Sequence, residues 1–186
     1  MNSPIPFAEE YAQACATPSD INELLPVLLG YASQCAHITE FGIRAGVSTR
    51  AFFHAAPKRL RSYDLKVSDD VEQLFLSARA QGFDYRCIQA DVLEVEIEPT
   101  DMLFIDTFHA YEQTAEELRL HAGKVSRFIA FHDVETYGYE PEKRYGKVGT
   151  RGIMPAIREF LAANPAWSVD LHLTYNNGLL VIEMSP

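Results

Sequence analysis

The sequence predicts an α/β protein whose sheet is mostly parallel and covered by helices on both faces. Short apolar runs alternate with helical patterns between residues 37 and 163. The first apolar run leads into a turn with two glycines, and a helix begins directly after that turn. Two alternating segments near the end flank Asn177-Gly178, a strong hairpin signal, and they add an antiparallel strand.

Length and charge exclude several classes of protein. The chain has 186 residues and a net charge of −10, which fits one sizeable domain and disfavours nucleic acid as a partner. No apolar run approaches the ~18 residues of a membrane span, and the start MNSPIPFAEEYAQ lacks the pattern of a signal peptide. Three cysteines fit no zinc spacing and indicate thiols in a reducing compartment, so we expect a cytoplasmic protein.

The order of elements is that of one domain over residues 1–186, with a helical lead-in over 1–36. The first long helix has a cap at Ser19 or Asp20, and Pro26 within it predicts a kink or a late start. Further helices are expected at 47–56, 68–81, 111–123 and 153–163. Strands are expected at 38–41, 60–64, 85–90, 102–105, 126–131, 167–174 and 179–184.

Acidic residues lie at or near the end of each predicted parallel strand. In open α/β sheets, ligands bind beyond the carboxyl ends of the strands, at the point where the strand order reverses. That rule selects a small set of candidate site residues, which are Glu40, Asp64, Asp91, Asp106, His132 and Asp133.

The glycine turn differs from a dinucleotide motif. A G-x-G-x-x-G motif lets the backbone approach a pyrophosphate, but here Arg44 stands where the second glycine would be. The turn Gly42-Ile43-Arg44-Ala45-Gly46 therefore indicates a ligand without a pyrophosphate. A plain connection between a strand and a helix is the alternative interpretation.

Two further strand ends suit an adenosine group. Asp64 lies 18 residues after Gly46, where a carboxylate can accept both hydroxyls of a ribose. Asp91 can accept from an exocyclic adenine amine. Each of these carboxylates could instead cap a helix or lie in a solvated loop.

Two carboxylates and two imidazoles are expected to converge at the fourth and fifth strand ends. Asp106 and His109 follow the fourth strand, and His132 and Asp133 follow the fifth. This set suits a divalent cation, with Mg²⁺ favoured by carboxylates and Mn²⁺ by imidazole as well. It equally suits a histidine general base oriented by an acid. The alternative interpretation is that these four residues only cap helices and hydrogen-bond to each other across the sheet edge.

The loop 134–149 leaves directly from His132-Asp133 and carries Tyr137, Tyr139 and Tyr145 among charged residues. We interpret it as a lid over a substrate, with a surface excursion as the alternative.

The ordered segments TEFGIRAGVSTRAF, SYDL, QADV, DMLFIDTFHAYEQTAEEL, FIAFHDV and GIMPAIREFL resemble the class I S-adenosylmethionine-dependent methyltransferases. More narrowly they resemble a small single-domain family with E-x-G-x-x-x-G-x-S, I-D-x-x-H-x-Y and F-H-D motifs. The resemblance spans about residues 38–161. It implies a Rossmann-like methyltransferase sandwich with a mostly parallel seven-stranded sheet, and S-adenosylmethionine as cofactor.

The resemblance also implies roles for single residues. The turn would surround the methionine and ribose parts of the cofactor, and Ser48 would lie at the helix start near its carboxylate. Asp64 would hold the ribose hydroxyls, and Asp91 with Val92 would flank the adenine. The full implied set is Glu40, Gly42, Ile43, Arg44, Gly46, Ser48, Asp64, Leu65, Asp91, Val92 and Asp106.

The catechol O-methyltransferases, more distant relatives, suggest the chemistry. By that resemblance Asp106 and Asp133 would bind Mg²⁺ or Mn²⁺ with His132 beside them as a third ligand, and His109 would occupy the position of the base. The base is a histidine here rather than a lysine, and Thr107 stands where the narrower family commonly has glycine. The implied activity is methylation of a hydroxyl on a sugar, a phenol or a natural product, assisted by the histidine or the cation.

The same architecture is also compatible with two other functions. One is an NAD(P)-dependent oxidoreductase, against which the missing central glycine argues. The other is a non-catalytic domain of methyltransferase type. A small molecule is the expected partner in any case, and the N-terminal helix or the closing hairpin could carry a homodimer.

Overall fold

The computed structural model describes residues 7–144 and 147–185, so Tyr145 and residues 1–6 of the lead-in lie outside the described residues. Six α-helices are present in this part of the chain: α1 Ala8–Ala16, α2 Leu25–Ala32, α3 Val47–Ala55, α4 Asp69–Ala80, α5 Tyr111–His121 and α6 Ile153–Ala163. The strands are β1 His37–Phe41, β2 Arg59–Asp64, β3 Asp84–Gln89, β4 Thr100–Ile105, β5 Val125–His132, β6 Lys143–Arg144, β7 Lys147–Val148, β8 Trp167–Leu173 and β9 Leu179–Met184.

One seven-stranded sheet organises the molecule, in the order β3-β2-β1-β4-β5-β9-β8. Strands β1 to β5 pair in parallel, and β9 pairs antiparallel with both β5 and β8. The predicted mostly parallel sheet with an antiparallel strand from the closing hairpin is therefore confirmed. Because β1 lies between β2 and β4, the strand order reverses at β1 and β4, where α/β sheets bind their ligands.

Both faces of the sheet are buried, as expected for parallel strands covered by helices. Along β4, Met102 and Phe104 join one apolar cluster, and Leu103 and Ile105 join the other. All four side chains are at most 5% exposed. The alternation follows from the two-residue period of a strand, and it makes β4 the central strand of the core.

The lead-in is part of this core. The ring of Phe7 packs 4.9 Å from that of Phe53, measured between centroids, so the segment before α1 contacts α3. The late start predicted from Pro26 is confirmed, since Pro26 lies in the first turn of α2 and a short 3₁₀ turn precedes it. Ser19 Oγ accepts a hydrogen bond from the Asn22 N–H at 3.0 Å and so caps that turn.

Most predicted boundaries agree with the structure within two residues, and those of α6 and β9 agree fully. The predicted helix 111–123 ends earlier, at His121, because a 3₁₀ turn over Ala122–Lys124 replaces its last residues. Loop 134–149, predicted without strands, contains the two-residue strands β6 and β7. None of the described helices is long and apolar enough to cross a bilayer.

Candidate active site

The glycine turn after β1 lies directly against the end of β4. Gly42 has a φ of +85°, and a Cβ atom there would lie 1.9 Å from the carbonyl oxygen of Asp106. The Asp106 N–H in turn donates to the carbonyl of Phe41 at 2.9 Å. Only glycine fits this contact, so the turn and the first acid of the predicted cluster are fixed to each other.

Asp64 shapes the turn from the end of β2. One carboxylate oxygen accepts from the backbone N–H groups of Ile43 and Arg44, at 2.8 and 2.9 Å. Its other oxygen accepts from the N–H of Lys66 at 3.1 Å. The predicted ligand carboxylate thus also holds the backbone of the turn. Leu65, beside it, is 64% exposed at the same strand end.

Glu40 lies beneath the turn and is completely buried. Its carboxylate accepts from the hydroxyls of Ser48 at 2.6 Å and Ser62 at 2.6 Å, and from Thr49. Burial raises the pKa of Glu40 to about 7, although the hydroxyls favour the charged form. Because Ser48 is directed at Glu40, these two residues support the turn from below. The contributions of Thr49 and Ser62 were not predicted.

Asp91 closes a local turn, since its carboxylate accepts from the Leu93 N–H at 2.9 Å. The neighbouring Val92 is 6% exposed, and its carbonyl accepts from Nε2 of His121 on α5 at 2.8 Å. The connection after β3 is therefore fixed to α5 by His121.

His109 lies at the centre of the predicted cluster. Its Nε2 is 3.2 Å from Asp106 Oδ1 and 3.1 Å from Asp133 Oδ2. Its Nδ1 is 3.0 Å from Glu142 Oε2. Burial opposes the charge on the imidazole, but the hydrogen bond and charge of Asp106, with Asp133 and Glu142, outweigh burial and raise the pKa of His109.

His132 approaches the same carboxylates from β5. Its Nδ1 is 3.4 Å from Asp106 Oδ1 and 3.6 Å from Asp133 Oδ2, while Nε2 faces the carbonyls of Asp20 and Asn176. Burial disfavours its charge, but Asp106 and Asp133 raise the pKa of His132 to about 9. Since carbonyls only accept, Nε2 carries a proton and ties β5 to two distant segments.

The two carboxyl groups of the cluster differ from each other. Burial opposes the charge of Asp106, yet hydrogen bonds from His109 and His132 outweigh it and lower the pKa of Asp106. Burial raises the pKa of Asp133, although a contact with the side chain of Asn177 and the charges of the two histidines favour the charged form. Its Oδ1 is buried and makes no hydrogen bond of normal geometry with the described residues. An acceptor of this kind is costly to bury, so the site has unused capacity for a ligand.

The described part of loop 134–149 folds over this cluster. The ring of Tyr137 stacks on His109 with centroids 4.9 Å apart and planes at 13°. Glu142, which the sequence did not single out, binds His109 from the same loop. Tyr139 is 59% exposed and lies near Arg158, so of the two described tyrosines only Tyr137 contacts the cluster.

An open cavity of about 590 Å³ lies beside the site, between the start of α5 and the connections that follow β3 and β4. Its lining includes Leu93, Phe108 and Gln113. Gln113 donates from its amide to Glu117 at 2.8 Å, and Glu117 is completely buried. This cavity was not predicted, because the walls opposite α5 come from connections without periodic patterns.

A divalent cation fits three of these side chains. Asp106, His109 and Asp133 each offer one ligand atom, and those atoms lie within 4.8 Å of one another. Carboxylate oxygens with one imidazole suit Mn²⁺ better than Mg²⁺. The oxygen of Asp133 that faces His109 Nε2, at 3.1 Å, is Oδ2. The structure groups His109 with the two carboxylates, whereas the sequence assigned His132 as the third ligand.

Comparisons with known proteins identify the fold. No protein-family model matches the chain, and no curated protein matches its sequence. Several solved structures match over nearly its whole length. A protein of Staphylococcus aureus, described provisionally as a caffeoyl-CoA O-methyltransferase, matches with a TM-score of 0.67 at 16% identity, over 99% of this chain and 93% of that one.

Several matching structures contain S-adenosylhomocysteine, and two of them illustrate the likeness. A methyltransferase of Podospora anserina gives a TM-score of 0.63 at 15% identity, over 100% of this chain and 90% of that one. Magnesium protoporphyrin IX methyltransferase of Synechocystis gives a TM-score of 0.65 at 11% identity, over 95% of this chain and 94% of that one. At these identities the likeness establishes the fold, so the chain has the fold of the class I S-adenosylmethionine-dependent methyltransferases.

Proposed function

We propose that this chain is an S-adenosylmethionine-dependent methyltransferase that methylates a hydroxyl group of a small molecule with the assistance of a divalent cation. The observation that carries the proposal is the contact of Gly42 with the backbone of Asp106. The turn that would hold the methyl donor thus adjoins the cluster that would hold the acceptor, and methyl transfer needs these two groups in line at about 3 Å.

The residues around the turn fit the cofactor. The N-terminus of α3, directly after Gly46, offers backbone N–H groups to a carboxylate. Asp64 uses three acceptor contacts on the backbone, of about four that a carboxylate offers. Its remaining capacity suits a ribose hydroxyl, while Asp91 and Val92 would flank the adenine.

The acceptor cluster suits a hydroxyl that must lose its proton. A cation held by Asp106, His109 and Asp133 would lower the pKa of a bound hydroxyl and orient it. The raised pKa of His109 argues against a free general base, because an imidazole bound by carboxylates on both nitrogens holds its proton more tightly than a free one. In this proposal His109 is therefore a ligand, and the carboxylates also favour the sulfonium charge of the donor.

The acceptor itself is proposed to be neutral. Asp106, Asp133 and Glu142 surround the reacting position with carboxylates, which disfavours polyanionic substrates. Tyr137 offers an aromatic face above it. A sugar, a phenol or a similar hydroxylated natural product meets both conditions.

The three cysteines are free thiols, since Cys15, Cys35 and Cys87 form no disulfide. Free thiols are typical of reducing compartments and support the proposed cytoplasmic location.

A labelled-methyl transfer screen tests the proposal. The protein is incubated with radiolabelled S-adenosylmethionine, Mn²⁺ and pools of hydroxylated small molecules, and a parallel set contains a chelator. We expect label in at least one phenol or sugar pool, with loss of transfer in the chelated set. Transfer that is indifferent to chelation would remove the cation from the proposal, and no transfer to any pool would contradict the acceptor class.

A further inference from the structure

We propose that Glu142 is a positioning residue, which holds His109 so that its Nε2 faces Asp106 and Asp133 and completes the cation site. The inference rests on the proposed function and deepens it. It assigns a role to a residue of loop 134–149 that neither the sequence motifs nor the strand ends indicate.

The contacts between Glu142 and His109 are reciprocal. Glu142 Oε2 lies 3.0 Å from the ring Nδ1 of His109 and also accepts from the His109 backbone N–H at 3.4 Å. The Glu142 N–H donates to the His109 carbonyl at 2.9 Å. Both side chains are 11% exposed, so solvent screens this pair much less than a surface pair. Glu142 therefore binds the ring and the backbone of the same residue.

This arrangement decides which ring nitrogen is available to a cation. A neutral imidazole carries one proton, and a metal takes the nitrogen that has none. A carboxylate on Nδ1 keeps the proton there, which leaves the lone pair of Nε2 between Asp106 and Asp133. Hydrogen bonds of this type to the second nitrogen of a ligating histidine typically account for 10- to 100-fold in metal affinity.

Tyr137 restricts the same ring in another direction. Its ring is nearly parallel to that of His109, at 13°, so the imidazole is held at one edge by Glu142 and on one face by Tyr137. Both contacts come from loop 134–149. The fold of this loop and the orientation of the ligand histidine are therefore coupled, and the cation site is complete only with the loop in this position.

The test measures Mn²⁺ binding to the full-length protein by the electron paramagnetic resonance signal of free Mn²⁺. The variants are Glu142→Gln, which keeps the side-chain volume, and Glu142→Ala. Glu140→Gln is the matched control, because Glu140 lies on the same loop and is exposed. We expect Glu142→Gln to weaken Mn²⁺ binding by about 10- to 100-fold. We expect affinity for S-adenosylhomocysteine and the melting temperature to stay near those of the wild type, as in the control.

The outcomes separate this inference from the proposed function. If both Glu142 variants bind Mn²⁺ within twofold of Glu140→Gln, the positioning role is wrong. If the wild type binds S-adenosylhomocysteine but no Mn²⁺, His109 is not a ligand and this inference is overturned while the methyl donor stands. If the wild type binds no S-adenosylhomocysteine, the proposed function itself fails.

Discussion

His109 has each of its ring nitrogens within 3.2 Å of a carboxylate, and three acidic side chains share the one imidazole. The carboxylates favour the charged form of this ring and raise its pKa, and a cation between Asp106 and Asp133 would take the place of the Nε2 proton. At the scale of single residues, the role of His109 thus depends on whether a proton or a cation lies between its Nε2 and the carboxylates of Asp106 and Asp133.

Replacement of His109 by alanine is expected to abolish Mn²⁺ binding and to lower the rate of methyl transfer by at least about 10- to 100-fold, because loss of a ligand should cost no less than loss of the residues that orient it. His172→Ala is the control, because His172 is exposed on β8 and its side chain contacts Glu135 rather than any residue of the cluster. Steady-state kinetics with titration of Mn²⁺ measures both effects. A variant that keeps wild-type kinetics would remove His109 from the site.

Glu117 allows a test of the electrostatics in the core. Burial raises its pKa to about 7 from an ordinary 4.5, and Oε2 has no hydrogen-bond partner among the described residues. Because the folded pKa lies above the unfolded one, the unfolded state loses its proton first and stability falls as pH rises from 4.5 to 7. Glu117→Gln lacks this titration. The free energy of unfolding of Glu117→Gln, relative to that of the wild type, should therefore rise by up to about 3 kcal/mol between pH 4.5 and 7.

Urea unfolding at pH 4.5 and pH 8 measures this difference. Glu9→Gln, an exposed change on α1, serves as the control and should show no such rise. A difference between Glu117→Gln and the wild type that is the same at both pH values would contradict the raised pKa.

The residues of the cluster could be predicted from the sequence because strand ends meet at one edge of a parallel sheet. Asp106, His109, His132 and Asp133 do come together. Glu142 could not be predicted, because it lies in a loop without a periodic pattern and its partner is 33 positions away. The same holds for Glu117, whose burial reflects packing of α5 rather than any motif.

At the scale of elements, the turn between β1 and α3 is the part on which the site depends. It is held from one side by the carboxylate of Asp64 and from below by Glu40. Its glycine contacts β4, so the positions of three strand ends are coupled through one turn. A change in this turn should therefore affect the cofactor and the acceptor cluster together.

Gly42→Ala is expected to lower the free energy of unfolding by at least about 2 kcal/mol, since it adds backbone strain and a contact that forces β4 to move. Gly82→Ala is a matched control with a similar φ, +93°, and no atoms within 4 Å of the added Cβ. Gly82→Ala should lower the free energy of unfolding by about 1 kcal/mol, from backbone strain alone. Equal losses in urea unfolding would show that the contact with Asp106 is unimportant.

Among the elements, strands and helices with strong periodicity were predictable, and α6 and β9 have the predicted bounds. The 3₁₀ turns were not predictable, because each has only three residues, too few for a repeating pattern of apolar residues to show in the sequence. Strands β6 and β7 were missed for a similar reason, since each has only two residues. Their pairing depends on the loop's contacts rather than on the strand propensity of the segment.

At the scale of the whole molecule, distant segments of the chain close one side of the site. His132 reaches the carbonyls of Asp20, before α2, and Asn176, in the closing hairpin. Asn176 also donates to the Ser19 carbonyl at 2.9 Å. The N-terminal segment and the final hairpin therefore meet at the end of β5. The expected homodimer through either of them stays a prediction.

The central claim is that the turn after β1 binds S-adenosylmethionine. Calorimetric titration with S-adenosylhomocysteine, the product form of this methyl donor, tests the claim most directly. We expect one site per chain, with binding weakened strongly by Asp64→Ala and unchanged by the exposed control Asp69→Ala, and no enhancement of NADH fluorescence. Binding of NADH without binding of S-adenosylhomocysteine would favour an oxidoreductase and contradict the account. Binding of neither ligand would leave a domain with the methyltransferase fold and no methyl donor, which contradicts it as well.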